Sequence, residues 1–211
     1  MTDTRKLIFF HSPNTRSTGV RILLEELKAD HELRVINMKA GAQRQADYLA
    51  INPMGKVPAI LHGDALVTEQ AAIYQYLADA FPQAGLAPAI GDALRGPFLR
   101  WFAYYGSSFE PAVVDRALKR EPAPTGMCPY GDFDTMLNTF LGQLGKGDYF
   151  LGERFTAIDV LWGCALKWMV GFKLIPENPL VLQYVERIYA RPAFVKVTQL
   201  ENELSASLPA A

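Results

Sequence analysis

Up to Pro82 the apolar residues of this chain alternate between strand and helical spacing; beyond Asp92 they keep helical spacing alone. That single change of pattern does most to limit the fold. LIFFH, from Leu7 to His11, reads as a buried strand, and SPNTRS after it as a turn. Val20, Leu23, Leu24 and Leu27 then recur at i, i+3, i+4 and i+7 with Glu25, Glu26 and Lys28 between them, which predicts a helix. ELRVINM returns to strand, and KAGAQRQADYLA predicts a short helix after Gly41. VPAIL and ALVT flank His62, Gly63 and Asp64 as the arms of a hairpin. EQAAIYQYLADAF places Ile73, Tyr76, Leu77, Ala80 and Phe81 on one helical face, and Pro82 stops it. The resulting order is βαβαββα. Its opening βαβ unit implies a parallel pair and its hairpin an antiparallel one, so the expectation is a mixed four-stranded sheet covered by helices.

From Pro82 to Asp92 the chain runs PQAGLAPAIGD, rich in Ala, Gly and Pro, and reads as a linker. Phe98, Phe102, Tyr105 and Phe109 then form a helical stripe, as do Phe133, Leu137, Phe140, Leu141 and Leu144. In FTAIDVLWGCALKWM, Thr156 and Asp159 have the spacing of a capping box, and Ile158, Leu161, Trp162, Ala165 and Leu166 make the buried face. PLVLQYVERIYA and PAFVKVTQLE supply two more helices, each opened by a proline. The expected division is an α/β domain over 1–82, a linker over 83–92 and an all-α helical bundle over 93–211.

The charge balance removes whole classes of partner. With 21 basic and 22 acidic residues, net charge −1, and no long run of either sign, neither nucleic acid nor an anionic membrane is indicated as a partner. Cys128 and Cys164 form no C-x-x-C pair, and His11, His31 and His62 no ligand pattern, so no metal is expected. MTDTRKLIFF is too short an apolar run for a secretory signal, which makes the cytoplasm the default compartment.

One residue sits badly in this scheme. Pro58 lies among good strand residues in INPMGKVPAIL, where it cannot donate a ladder hydrogen bond. NPMGKVP, LVTEQAAIYQYLADAFP, FTAIDVLWG and ARPAFVKV together, in this order and at these separations, resemble motifs of the cytosolic glutathione transferases, and the resemblance covers almost the whole chain. It implies a thioredoxin-like first domain, a helical second domain, glutathione as co-substrate, a homodimer and a role in detoxification. It also implies a cis Val57–Pro58 bond that leaves the N–H and C=O of Val57 open to glutathione's cysteinyl unit, a small case of strand addition. The same resemblance assigns Lys56, Val57, Pro58, Glu69 and Gln70 to glutathione, with Gln43 and Arg44 where some classes hold its glycyl carboxylate. Serine is usual where this chain has Gln70.

The chemistry such a site must perform is to turn a thiol of pKa near 8.5 into a thiolate. Donors at the start of the first helix suit that task. His11 and its neighbours Phe9 and Phe10 disfavour the tyrosine-type enzymes, and the pattern is closer to the bacterial serine- or cysteine-type classes. Asn14 occupies the serine position and Arg16 the cysteine position, so neither residue type is kept. The Asn14 side chain, the Thr15 hydroxyl or amide, the Ser17 hydroxyl and Ser12 are all able donors, and each could equally be a turn former or cap. The electrophile is expected under the helix carrying RWFAYYGSSF, with Tyr104, Tyr105, Ser108 and Phe109 as wall candidates, two of them core only. Glutathione S-transfer to a small, mostly apolar electrophile leads; a glutathione-dependent peroxidase or disulfide reductase, and a partner-binding protein without catalysis, are the alternatives.

Overall fold

A computed structural model describes residues 5–121 and 123–209. The chain divides into two compact units, Met1–Gly85 with Ala190–Ala211, and Leu86–Tyr189.

In the first unit the strands β1 (Leu7–His11), β2 (Glu32–Val35), β3 (Ala59–His62) and β4 (Ala65–Val67) form one sheet in the order β2-β1-β3-β4. β1 runs parallel to β2, with Phe9 opposite Leu33, and antiparallel to β3, with Phe9 opposite Ile60. β3 and β4 form the antiparallel hairpin that the Gly63-Asp64 turn predicts. β3 is therefore an interior strand, and Pro58 stands just ahead of it rather than on an edge. α1 (Ser17–Leu27) crosses from β1 to β2, burying Val20, Leu23, Leu24 and Leu27 as their spacing predicts. After Gly41 come only a three-residue 3-10 turn, Ala42–Arg44, and the four-residue α2 (Ala46–Leu49), divided at the extended Gln45. α3 (Gln70–Ala80) buries Ile73, Tyr74, Leu77 and Ala78. Its inner face is turned from the expected one: Tyr74 goes inside, while Tyr76 is only half-buried and its hydroxyl takes a hydrogen bond from Arg5.

The last helix, α9 (Pro192–Ser207), belongs to this first unit rather than to the helical bundle over 93–211. Its buried face of Ala193, Phe194 and Val197 supplies the attachment, and charge pairs with α1 add to it. Arg191 meets Glu26 of α1 with two bonds of 2.7 and 2.9 Å, Lys196 meets Glu25 at 2.7 Å, and Glu201 meets Arg21 at 2.8 Å. Of the two more exposed pairs, the forked Arg191–Glu26 geometry is the stronger, and Glu201–Arg21 is buried.

The second unit contains α4 (Arg95–Tyr104), a π turn at Tyr105–Phe109, α5 (Glu110–Ala117), α6 (Phe133–Leu144), α7 (Ala157–Gly171) and α8 (Pro179–Tyr189). The expected linker ends early, because Leu86 is buried and its carbonyl accepts from the Ala157 amide at 2.9 Å. α6 is capped by Asp132, which accepts from the Thr135 amide at 2.8 Å, and it buries Met136, Phe140 and Leu144. α7 is the central helix, with Trp162 fully enclosed by Phe109, Phe140 and Phe150 at ring separations of 4.8 to 4.9 Å. A Cβ on Gly163 would fall 2.5 Å from Ile188 Cγ2, so only glycine lets α8 approach this closely.

The start of α7 depends on one carboxylate. Asp159 accepts from the Thr156 amide at 2.8 Å, the Phe150 amide at 2.7 Å and the Tyr184 hydroxyl at 2.8 Å. The capping box is present, but its acid also ties in α8 and the loop before α7. Burial pushes the Asp159 carboxyl up to about 6, although every one of these donors pulls it down.

Candidate active site

The turn between β1 and α1 is built on the Ser17 hydroxyl. Ser17 Oγ lies 2.8 Å from His11 Nδ1 and accepts from the Ser12 amide at 3.1 Å. Ser17 and Thr15 hydroxyls both reach the Ser12 carbonyl, at 3.0 and 2.7 Å, and lie 2.7 Å from each other. These bonds decide which expected donors face outward. Ser17 is 0% exposed and committed internally, so it is corrected from candidate donor to the peg of the turn. The Thr15 hydroxyl is drawn inward in the same way, and Ser12 is buried. What stays available is the Thr15 amide and the Asn14 side chain, neither of which has a hydrogen-bond partner among the described residues. Asn14 is exposed and left-handed, at φ 56°, a conformation asparagine accepts more readily than most residues.

Glu201 of α9 underlies this turn, and nothing in the spacing of PAFVKVTQLE marks it out. Its Oε2 accepts from the Asn14 amide at 3.1 Å and from the Thr18 hydroxyl; its Oε1 lies 2.8 Å from Arg21 Nη1 and 2.9 Å from His11 Nε2. Burial pushes this carboxyl up, but the His11, Thr18 and Arg21 contacts outweigh it and take it down to about 2.

The NPMGKVP segment is a second turn held by a buried side chain. Asn52 donates to the Lys56 carbonyl at 2.9 Å and accepts from the Met54 amide at 3.1 Å, and the Tyr48 hydroxyl joins the Lys56 carbonyl at 2.6 Å. Gly55 sits at φ 59°, and a Cβ there would meet the Gln43 carbonyl at 2.8 Å. Asparagine and glycine are thus structural members of the motif. The Val57–Pro58 bond is cis. The N–H and C=O of Val57 have no hydrogen-bond partner among the described residues. Lys56 is exposed.

At the head of α3, Glu69 has φ 64° and ψ 118°, is exposed, and caps nothing with its side chain. That backbone conformation is sparsely populated for a residue with a side chain, and such positions gather at functional sites. Gln70 donates to the Arg16 carbonyl at 3.3 Å, which joins this helix start to the β1–α1 turn. Gln70 Oε1 and Gln43 Oε1 are both buried without a partner among the described residues. Arg44 reaches the Met54 carbonyl at 3.4 Å. The turn at 12–17, Val57 and the head of α3 all belong to the first unit.

In the second unit the four wall candidates separate. Phe109 is 0% exposed and packs on Trp162, and Tyr105 is buried with its hydroxyl on Glu110 at 3.0 Å, so both are core. Tyr104 is half-buried and donates to the Met136 carbonyl at 2.7 Å. Ser108 is half-buried on the π turn. Among the described residues there is no cluster of three or more potential metal ligands, and no helix long and apolar enough to cross a membrane.

Comparison with known proteins gives one consistent result. Residues 5–79 match the sequence model of the glutathione S-transferase N-terminal domain and residues 132–192 that of the C-terminal domain. Glutathione S-transferase GstA of Escherichia coli O157:H7 is 28% identical over 200 residues, covering 93% of this chain and 96% of that protein. A glutathione transferase structure from Methylococcus capsulatus strain Bath superposes with a TM-score of 0.78 at 28% identity, covering 93% of this chain and 99% of the other. A sphingomonad glutathione S-transferase complexed with glutathione gives 0.73 at 29% identity, covering 92% and 98%. With both domain models matched in order along a mixed sheet and a helical unit, the chain belongs to the glutathione S-transferase family.

Proposed function

We propose that this protein is a glutathione transferase that converts the thiol of bound glutathione to a thiolate for attack on a small, mostly apolar electrophile. One observation carries the reading: main-chain groups of Val57 that a sheet would normally consume are without partners among the described residues, in the same unit as Glu69 and Gln70 at the head of α3. Glutathione's cysteinyl unit would take both Val57 bonds in antiparallel fashion. Its γ-glutamyl carboxylate would meet the first-turn amides of α3, which no helix satisfies internally. Glu69 supplies the counter-charge for the ammonium group, and the orphan Gln70 Oε1 is a second acceptor for it. Gln43, Arg44 and Lys56 are the polar and cationic groups proposed for the glycyl end. The thiol would sit at the start of α1, where the Thr15 amide and the Asn14 side chain supply hydrogen bonds and the helix's positive end adds to them.

Lowering a thiol pKa by about two units takes roughly 2.7 kcal/mol of preferential thiolate stabilisation. Two donors to a charged acceptor, at roughly 1.5–3 kcal/mol each, are sufficient. For the electrophile, Tyr104 and Ser108 remain the proposed contacts. A homodimer in the cytoplasm is the proposed state, to be read from the sedimentation mass and from cell fractionation. The test of the whole reading is retention on immobilised glutathione, release by free glutathione, and conjugation of an aryl halide. Failure of retention together with no thermal shift at millimolar glutathione would refute it, and turnover of peroxide without conjugation would redirect it to the reductase chemistry.

A further inference from the structure

We propose that Glu201, on the last helix of the chain, is a positioning residue for thiol activation: by holding the Asn14 amide it fixes the turn that aims the Thr15 amide at the thiol. The inference rests on the function proposed above and adds to it a residue 187 positions away in sequence from the turn it controls.

The geometry is specific. Asn14 is left-handed, and its own N–H, 3.1 Å from Glu201 Oε2, is turned inward to the carboxylate. The next amide, that of Thr15, has no partner among the described residues. The Asn14 and Thr15 amides are separated only by the φ and ψ of Asn14, so holding one peptide plane in place fixes the direction of the next. The carboxylate is itself held from three sides, by Thr18 and Arg21 of α1 and by His11 at the end of β1. His11 closes the circuit, since its other ring nitrogen lies 2.8 Å from the Ser17 hydroxyl on which the turn is built. The remaining charged pairs between α1 and α9, Glu25–Lys196 and Glu26–Arg191, join other residues.

Charge alone would give Glu201 the opposite effect. A buried negative charge beneath the start of α1 disfavours a second negative charge on the thiol. Neutralising it would therefore lower the thiol pKa if only its field mattered. Releasing the turn would raise that pKa, because the Thr15 donor is lost to the thiolate. The two accounts differ in sign.

The experiment is a titration of bound glutathione by its thiolate absorbance in the ultraviolet, for the unaltered protein, Glu201→Gln and Glu26→Gln. Glutamine keeps the shape but offers one acceptor oxygen to the three donors of Asn14, Thr18 and Arg21. We expect Glu201→Gln to raise the bound thiol's pKa by about one unit, which takes the thiolate at pH 7 from about three-quarters to about one-quarter, roughly a threefold loss. Glu26→Gln, which breaks another α1–α9 contact, should leave it unchanged. Thr18→Ala is the second variant should Glu201→Gln not fold: it keeps the charge but releases one bond that aims the carboxylate, and a smaller rise is expected. An unchanged or lowered pKa in the folded variants, or an equal rise in Glu26→Gln, would overturn the inference while leaving the proposed function standing. No thiolate signal with the unaltered protein would overturn both.

Discussion

Replacing Asp159 tests the account of the helical unit most severely. Asp159→Ala leaves the Phe150 amide, the Thr156 amide and the Tyr184 hydroxyl without an acceptor in a place that is 0% exposed. Each such orphan costs about 1–3 kcal/mol. Allowing for non-additivity within one network, the loss should be about 4 kcal/mol, a large share of the roughly 5–15 kcal/mol that a domain possesses. Asp159→Asn keeps one acceptor oxygen but turns an amide donor toward one of these groups, and should cost about 1–3 kcal/mol. All three tryptophans, Trp101, Trp162 and Trp168, lie in the helical unit, so fluorescence during urea unfolding reports on that unit selectively. The pH dependence supplies a signed check. The carboxyl is raised from 3.8 to about 6 in the folded state, so its contribution is fully present below about 4 and is lost as pH rises through about 6. The gap between the unaltered protein and Asp159→Asn should thus narrow by up to about 3 kcal/mol over that interval. A loss under about 1 kcal/mol in Asp159→Ala, or a gap that widens with pH, would refute the reasoning.

Other consequences are quicker to check. Gly163→Ala should destabilise the helical unit by about 1–3 kcal/mol, and a double-mutant cycle with Ile188→Ala, which removes the clashing Cγ2, should show the two losses to be less than additive. Glu201 has the opposite pH sign to Asp159: lowered from 4.5 to about 2, it contributes stability above about 4.5 that disappears as pH falls toward 2, so circular dichroism should show an acid-induced loss that Glu201→Gln lacks. Glu69→Ala should raise KM for glutathione about tenfold, with a smaller change in kcat, since a charged hydrogen bond of about 1.5–3 kcal/mol is removed from binding. Gly55→Ala should weaken the same binding, because the new methyl group displaces the Gln43 carbonyl or the Arg44 side chain.

The sequence made legible what local pattern determines. Strand and helix spacing located β1, α1, the β3–β4 hairpin and α7, and the proline-opened helices begin at Pro179 and Pro192. Helix faces were read less well: Tyr74 and Tyr76 are two residues apart, and only packing against the sheet decides which goes inside. The candidate site was legible as segments, not as individual atoms. HSPNTRS contains four hydroxyl or amide side chains of similar propensity, and the burial of Ser17 against His11 is a tertiary choice. Glu201 carried no signal, because a glutamate in a mostly polar helix looks like solvated surface until its partner is known.

The return of α9 to the first unit makes that unit discontinuous. Its sheet, its proposed glutathione-binding groups and α1 are all translated before residue 86, yet the salt links to α1 and the acid beneath the first turn arrive only with residues 191–201. The helical unit, one uninterrupted stretch from Leu86 to Tyr189, is complete in sequence before the first residue of α9 is added. The half that is made first must therefore be finished last, and a nonsense codon near residue 190 would spare the bundle while leaving its sister unlatched.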